Sequence, residues 1–146
     1  MELKQLSIND KEAIKELFTG VFTGEPWNDD WSDSGQLDLY IKDLCGQEYS
    51  LTYGLYDGDE LIGLSMGYIK HWYTGTEYII NELCIRTDRQ GCGAGTGFLT
   101  QIEKAVKEMG VRQIFLLTDR DMPACNFYKK NGFVEVSGLI PFAKHI

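Results

Sequence analysis

A chain of 146 residues, 43% hydrophobic and 25% charged, has the make-up of one globular domain able to bury about two-thirds of its unfolded surface, which excludes disordered and fibrous classes. A net charge of −8 sets the average surface against a phosphate backbone, so no nucleic-acid partner is expected. No run reaches the ~18 consecutive apolar residues of a membrane span and the amino terminus lacks a signal-peptide pattern, so no membrane partner is expected and the cytoplasm is the expected location.

Residues 2–6 alternate weakly and read as an edge strand. Ser7 or Asn9 can cap a helix in which Ile14, Leu17, Phe18 and Val21 keep helical spacing, before Gly24 and Pro26 break the chain. A second helix is predicted over about 34–44, with Leu37, Tyr40, Ile41 and Leu44 on one face. From Tyr49 the period becomes that of strands. Residues 49–56 and 61–69 flank Asp57-Gly58-Asp59-Glu60, a good hairpin connection because Asp and Gly tolerate φ > 0. Residues 76–85 form a further strand-like run, set off by His71-Trp72-Tyr73-Thr74-Gly75. A glycine-rich loop follows, then a helix with Phe98, Leu99, Ile102, Ala105, Val106 and Met109 in a stripe and Gly110 as its C-cap. Residues 112–118 read as a short buried strand, 122–131 as a helix, and 133–136 and 139–145 as strands that close the sheet. The order β-α-α-β-β-β-α-β-α-β-β predicts an α/β fold around a central mixed sheet. With no repeat, linker or low-complexity segment, a single domain over 1–146 is expected.

Cysteines 45, 84, 92 and 125 show neither Cys-x-x-Cys pairing nor a disulfide-rich spacing, and neither histidine adjoins one. They read as reduced thiols, and no metal site is expected.

The chemistry concentrates in Gln90-Gly91-Cys92-Gly93-Ala94-Gly95-Thr96-Gly97, between a strand and a helix. Glycine at alternate positions bares the backbone, so its N–H groups can converge on an oxyanion. The helix behind adds its dipole and its unpaired first-turn donors. A P-loop would need a lysine after the glycines, and none is there; the spacing is also wrong for the Gly-x-Gly-x-x-Gly dinucleotide fingerprint.

Gln90-x-x-Gly93-x-Gly95 instead resembles the Gln/Arg-x-x-Gly-x-Gly/Ala pyrophosphate loop of the GNAT acyltransferase superfamily. Glu82-Leu83-x-Ile85 before it and Ala124-x-x-Phe127-Tyr128-x-x-x-Gly132-Phe133 after it extend the resemblance over roughly residues 50–136. The resemblance implies the GNAT-type fold: a mixed, mostly antiparallel sheet with helices on both faces. It implies acetyl-CoA as acyl donor. The pyrophosphate would lie on the backbone of Gly91, Cys92, Gly93, Ala94 and Gly95, with Thr96 at the helix start and side-chain donors from Gln90 and Arg89. The pantetheine arm would lie against the backbone of Cys84 and Ile85, where the family's strand splays from its neighbour. Glu82 would be the general base and Tyr128 the general acid. Read from the residues alone, Glu82 can equally be solvated or salt-bridged, and Tyr128 can be a core tyrosine. Asp121 stands where similar enzymes often place an asparagine that donates to the cofactor arm; Asn126 is nearby in sequence but not at the matching position.

From Glu16 to Ile41 the chain has no Lys or Arg, and Glu25, Asp29, Asp30, Asp33 and Asp38 interleave with Trp27 and Trp31. Carboxylates beside indoles suit a cationic amine, although a solvated acidic loop anchored by two tryptophans fits too. The resemblance adds the segment around Trp72 to an acceptor site with Glu25, Trp27, Asp30 and Trp31. The expectation is an N-acetyltransferase that acts on a primary amine of a small cationic, polyamine- or aminoglycoside-like acceptor by direct transfer. The alternatives are a protein or peptide acetyltransferase, a non-catalytic acyl-CoA sensor and a nucleotide-binding oxidoreductase. An apolar edge at 137–146 suggests a homodimer.

Overall fold

The computed structural model describes residues 1–146. Strand β1 (Glu2–Leu6) runs into a 3₁₀ turn at Ile8–Asp10. Ser7 Oγ accepts from the Asn9 N–H at 3.2 Å, and the Asp10 carboxylate accepts from the Ser7 N–H at 2.8 Å. Ser7 therefore caps this turn, and helix α1 (Lys11–Phe22) follows it directly. Helix α2 (Ser34–Cys45) is capped by Asp33, which accepts from the Gln36 N–H at 3.0 Å. Strands β2 (Ser50–Asp57) and β3 (Glu60–Trp72) meet at a turn of only Gly58-Asp59, with Gly58 at φ +61°. Pairing of β3 with β4 (Gly75–Ile85) runs out to Trp72 opposite Gly75, so His71 and Trp72 belong to a strand and not to a connection. Helix α3 (Ala94–Glu108) ends at Gly110, whose φ of +85° lets the Val111 N–H return to the Val106 carbonyl. Strand β5 (Gln113–Leu116) and helix α4 (Pro123–Lys130) complete the elements. The sheet order is β1-β2-β3-β4-β5, antiparallel throughout except for the parallel β4–β5 pair.

Helices α1 and α2 cover one face, where Ile14, Phe18, Leu37 and Ile41 pack on Leu64, Met66 and Cys84. Helix α3 covers the other, where Phe98, Ile102 and Val106 pack on Leu55, Tyr78 and Ile80. Strict alternation along β4 would aim Glu82 at α3, the face that Tyr78 and Ile80 occupy. A bulge prevents this. Met66 pairs with Glu82 but Gly67 pairs with Ile80, which leaves Asn81 without a partner. Beyond it the parity is reversed: Leu83 and Ile85 pack toward α3, while Cys84 joins the α1–α2 core. Glu82 shares the Cys84 side. Only glycine fits opposite the bulge, since a Cβ on Gly67 would lie 1.9 Å from the Ile79 carbonyl oxygen.

The carboxy-terminal expectation is corrected. No helix or strand follows Lys130, so the predicted strands at 133–136 and 139–145 do not form, and no residue beyond Val111 is buried. Pro141 interrupts the second run with a residue that has no N–H to donate, and β5 offers a neighbour only four residues long. Strand β5 is itself shorter than predicted: the Arg112 N–H bonds the Thr76 carbonyl at 2.8 Å outside the ladder, and Leu117 is exposed.

Candidate active site

Strand β4 pairs with β5 only from Glu77 to Ile80; beyond the unpaired Asn81, Glu82 to Ile85 pair with β3 alone. One edge of β4 is therefore open just before the glycine loop. After a 3₁₀ turn at Thr87–Arg89, Gly91 and Gly93 take φ of +77° and +86°, which other L-residues rarely adopt. The backbone N–H groups of Gly91, Cys92, Gly93, Ala94, Gly95 and Thr96 find no acceptor in the protein; the next, Gly97, bonds the Gly93 carbonyl at 3.0 Å. No side chain caps α3. A run of free donors at the positive end of a 15-residue helix is a cradle for an anion such as a pyrophosphate. The four glycines serve different ends. Gly91 and Gly93 shape the loop, whereas Gly95 is helical and admits the Phe127 ring of α4, which would lie 3.0 Å from a Cβ there. Gly97 is helical and faces open space.

Two residues expected as phosphate donors are engaged elsewhere. The Arg89 guanidinium pairs with Asp57 and, at 3.6 Å, with Glu60 at the β2–β3 turn. Gln90 Nε2 donates to the Ile85 carbonyl at 2.9 Å. Carboxylates and a carbonyl within reach engage both side chains, so they brace the loop against the sheet. Gln90 takes one of the two acceptor positions of the Ile85 carbonyl, a backbone group expected to meet a pantetheine arm; Ile85 itself is half-buried. The Cys92 thiol donates to the Arg89 carbonyl at 3.1 Å, Thr96 is exposed in the first turn of α3, and Asn126 is exposed on α4 without a side-chain hydrogen bond.

On the α1–α2 face, the Tyr40 hydroxyl donates to Glu82 Oε1 at 2.6 Å. Tyr40 lies flat on Trp31, with ring centroids 5.1 Å apart and planes 11° apart, and meets Phe18 edge-on at 5.9 Å. Burial raises the Glu82 pKa above the usual carboxylate value; the Tyr40 hydrogen bond opposes this and the Asp29 charge adds to it. No cation acts on Glu82, so it is neither fully solvated nor salt-bridged. Burial raises the Tyr128 phenol well above its ordinary value, and the charges of Glu82 and Cys84 raise it further. Tyr128 packs edge-on against Phe127 and Phe133 at 5.4 and 5.3 Å, yet its hydroxyl makes no hydrogen bond within the protein. The buried Cys84 thiol is pushed up to about 12, chiefly by burial.

The acceptor-side expectations divide. Trp31 reaches Glu82 through Tyr40, with its indole N–H buried and unpartnered, while Trp27 packs on Phe22 at 5.6 Å as a core anchor. Glu25 is exposed. Asp30 turns back to accept from the Ser32 N–H at 3.0 Å, because a short Asx turn satisfies it locally. Trp72 is not brought to the others: it lies six positions along β3 from Met66, the partner of Glu82, a span of about 20 Å at ~3.3 Å per residue. It is exposed there, with Lys70 Nζ 4.3 Å from its ring centroid. The sequence reading passed over Tyr40 as a site residue. Its signal was a phenol on the otherwise aliphatic face of the second helix, where a hydroxyl needs a partner.

No curated protein matches the chain in sequence. Among solved structures, it resembles an aminoglycoside acetyltransferase, meta-AAC0020, from an uncultured soil metagenomic sample in complex with sisomicin: 21% identity, TM-score 0.75, covering 99% of this chain and 95% of that one. A possible acetyltransferase from Clostridium difficile 630 superposes with a TM-score of 0.83 at 14% identity, covering 99% and 97%. The aminoglycoside N-acetyltransferase AAC(6')-Iy in complex with CoA gives 0.73 at 13%, covering 99% and 95%. At these identities the likeness is one of fold. The Acetyltransferase (GNAT) family model matches residues 11–133, most of the chain, and the protein therefore belongs to that family of acetyltransferases.

Proposed function

We propose that this acetyltransferase moves an acetyl group from acetyl-CoA to a primary amine of a small, cationic, polyamine- or aminoglycoside-like acceptor. The observation that carries the reading is Glu82: a half-buried carboxylate with no cationic partner, beside Asp29 and the Trp31–Tyr40 stack. A site of that charge and aromatic content attracts an ammonium group and then has a base to deprotonate it. Two of the similar structures are aminoglycoside acetyltransferases, one with sisomicin and one with CoA bound, which supports the same acceptor and donor classes.

The residues fit the donor. The free N–H groups of Gly91–Thr96 would hold its pyrophosphate, and the open edge of β4 would take the amide-bearing arm. Acetyl-CoA supplies an activated thioester. Glu82 accepts a proton from the ammonium group, and the freed amine nitrogen bonds the acetyl carbon as the carbon–sulfur bond breaks. Tyr128, protonated across the working pH range, gives a proton to the departing thiolate, and the second proton of the amine nitrogen leaves as the amide forms and restores the phenol through solvent. A buried phenol is a weak acid, and burial pushes the Cys84 thiol up to about 12 in the same way. That value also argues for direct transfer, because Cys84 holds too little thiolate to act as an acyl carrier. The four free cysteines suit the cytoplasm. The exposed Val134, Leu139, Ile140 and Phe142 would be covered by a second copy in a homodimer.

The test is thiol release from acetyl-CoA against polyamines, aminoglycosides, amino-acid amines and lysine peptides, for wild type and Glu82→Gln. Release with a small cationic amine is expected, with Glu82→Gln slower by about 10²-fold or more and acetyl-CoA affinity unchanged. Activity on peptides alone would overturn the acceptor class. Cofactor binding without release would point to a sensor.

A further inference from the structure

Tyr40 plays no part in the mechanism above, yet it makes the single hydrogen bond that the Glu82 carboxylate receives within the protein. The geometry is that of a strong, charge-assisted bond: O–H···O⁻ at 2.6 Å between residues 42 apart in sequence. The ring that carries the hydroxyl is fixed, stacked on Trp31 and wedged against Phe18, and both of those belong to the α1–α2 core. Glu82 Oε2 is left without a protein partner. We propose that Tyr40 is a positioning residue for Glu82, occupying Oε1 so that Oε2 is the oxygen presented to the acceptor and favouring the ionised carboxylate at a half-buried position. This rests on Glu82 being the base.

The groups that face Glu82 sharpen the inference. From the α1–α2 connection comes Asp29, a like charge; from α4 comes Tyr128; from β4 itself comes the Cys84 thiol; and from β3 comes Met66, which is apolar. Asp43 of α2 acts on the Tyr40 phenol and, with burial, Glu82 and Asp29, keeps it protonated, so Tyr40 remains a donor whenever Glu82 can accept. Of all these, Tyr40 alone favours the charged carboxylate. Without its hydroxyl, burial and Asp29 act unopposed and the carboxyl holds its proton to higher pH.

The experiment is a ¹³C NMR titration of side-chain carboxyl-labelled glutamate in the acceptor-free protein, with the Glu82 resonance identified by its loss in Glu82→Gln. Tyr40→Phe keeps the ring stack and removes only the hydroxyl. Its Glu82 midpoint is expected about one pH unit above wild type. An unchanged or lower midpoint overturns the proposal. As a second arm, the pH dependence of kcat/KM is measured with sisomicin and spermidine as acceptor probes. The acidic limb should move up in Tyr40→Phe and the rate should recover toward wild type at high pH; a loss equal at every pH would make Tyr40 merely structural and overturn the positioning role. If Glu82→Gln keeps the wild-type acidic limb, the base assignment itself fails. If Glu82→Gln loses that limb while Tyr40→Phe leaves it in place, only the Tyr40 inference fails. The NMR arm needs no acceptor and decides the Tyr40–Glu82 coupling by itself.

Discussion

The two halves of the proposed site, both served by β4, are built from different material. The anion cradle is main chain from one stretch, Gly91–Thr96, and its donors are free because glycine and a helix start leave them so. The acid–base wall is made of side chains from four places: Glu82 on β4, Asp29 between α1 and α2, Tyr40 on α2 and Tyr128 on α4. A main-chain site depends on local backbone conformation and tolerates change in what surrounds it. A side-chain site depends on register, and here the register hangs on one unpaired residue, Asn81.

The largest effect is therefore expected at a residue in neither half. Gly67→Ala puts a Cβ 1.9 Å from the Ile79 carbonyl oxygen, and backbone cannot step aside as a flexible side chain would. A cost of about 3 kcal/mol or more, near 10 °C in Tm, is expected by thermal denaturation. A Tm within about two degrees of wild type would show that the bulge does not need this close approach. Next in size is Tyr128→Phe, which removes the proposed proton donor and leaves the ring packed between Phe127 and Phe133. Turnover should fall by about 10²-fold with acetyl-CoA affinity within about twofold, read by steady-state kinetics and calorimetry. Unchanged turnover would rule Tyr128 out as an important acid and confine the chemistry to Glu82.

That division also explains what could be read from the chain. The helix stripes at Ile14–Val21 and Phe98–Val106, the Asp57–Glu60 hairpin and the strand–glycine loop–helix unit are local patterns, and the structure contains each of them. The family blocks marked Glu82 and Tyr128 by position, and the fold places the charge of one within range of the other. Three things were not legible. The bulge at Asn81 shows no periodic signal, because it breaks a pattern by one residue. The Tyr40–Glu82 bond joins residues that only the packing of α2 on the sheet brings together. Arg89 and Gln90 looked like anion donors because composition shows charge and donors but not the acceptors nearer to hand, Asp57 and the Ile85 carbonyl. The same holds for the distance of Trp72 from Glu82: an aromatic near a turn says nothing about which end of a 13-residue strand it occupies.

The smallest effects should come from inside the glycine loop, where a pair of substitutions separates conformation from mere presence of glycine. Gly93 and Gly97 both face open space, so an added methyl group meets nothing at either. They differ in backbone: Gly93 has φ +86° at the N-cap of α3, whereas Gly97 is helical and already bonds Gly93. Alanine at 93 costs about 1–2 kcal/mol to hold in the left-handed region, so the loop relaxes and the converging N–H groups are lost. The acetyl-CoA Kd should rise about tenfold while the Glu82 titration stays in place, since no residue of the wall moves. Alanine at 97 should leave the Kd alone and stabilise α3 by up to about 1 kcal/mol. If Gly93→Ala binds as wild type, the cradle is not the anion site, and if Gly97→Ala weakens binding, the anion reaches further along the helix than the free N–H groups of Gly91–Thr96 imply.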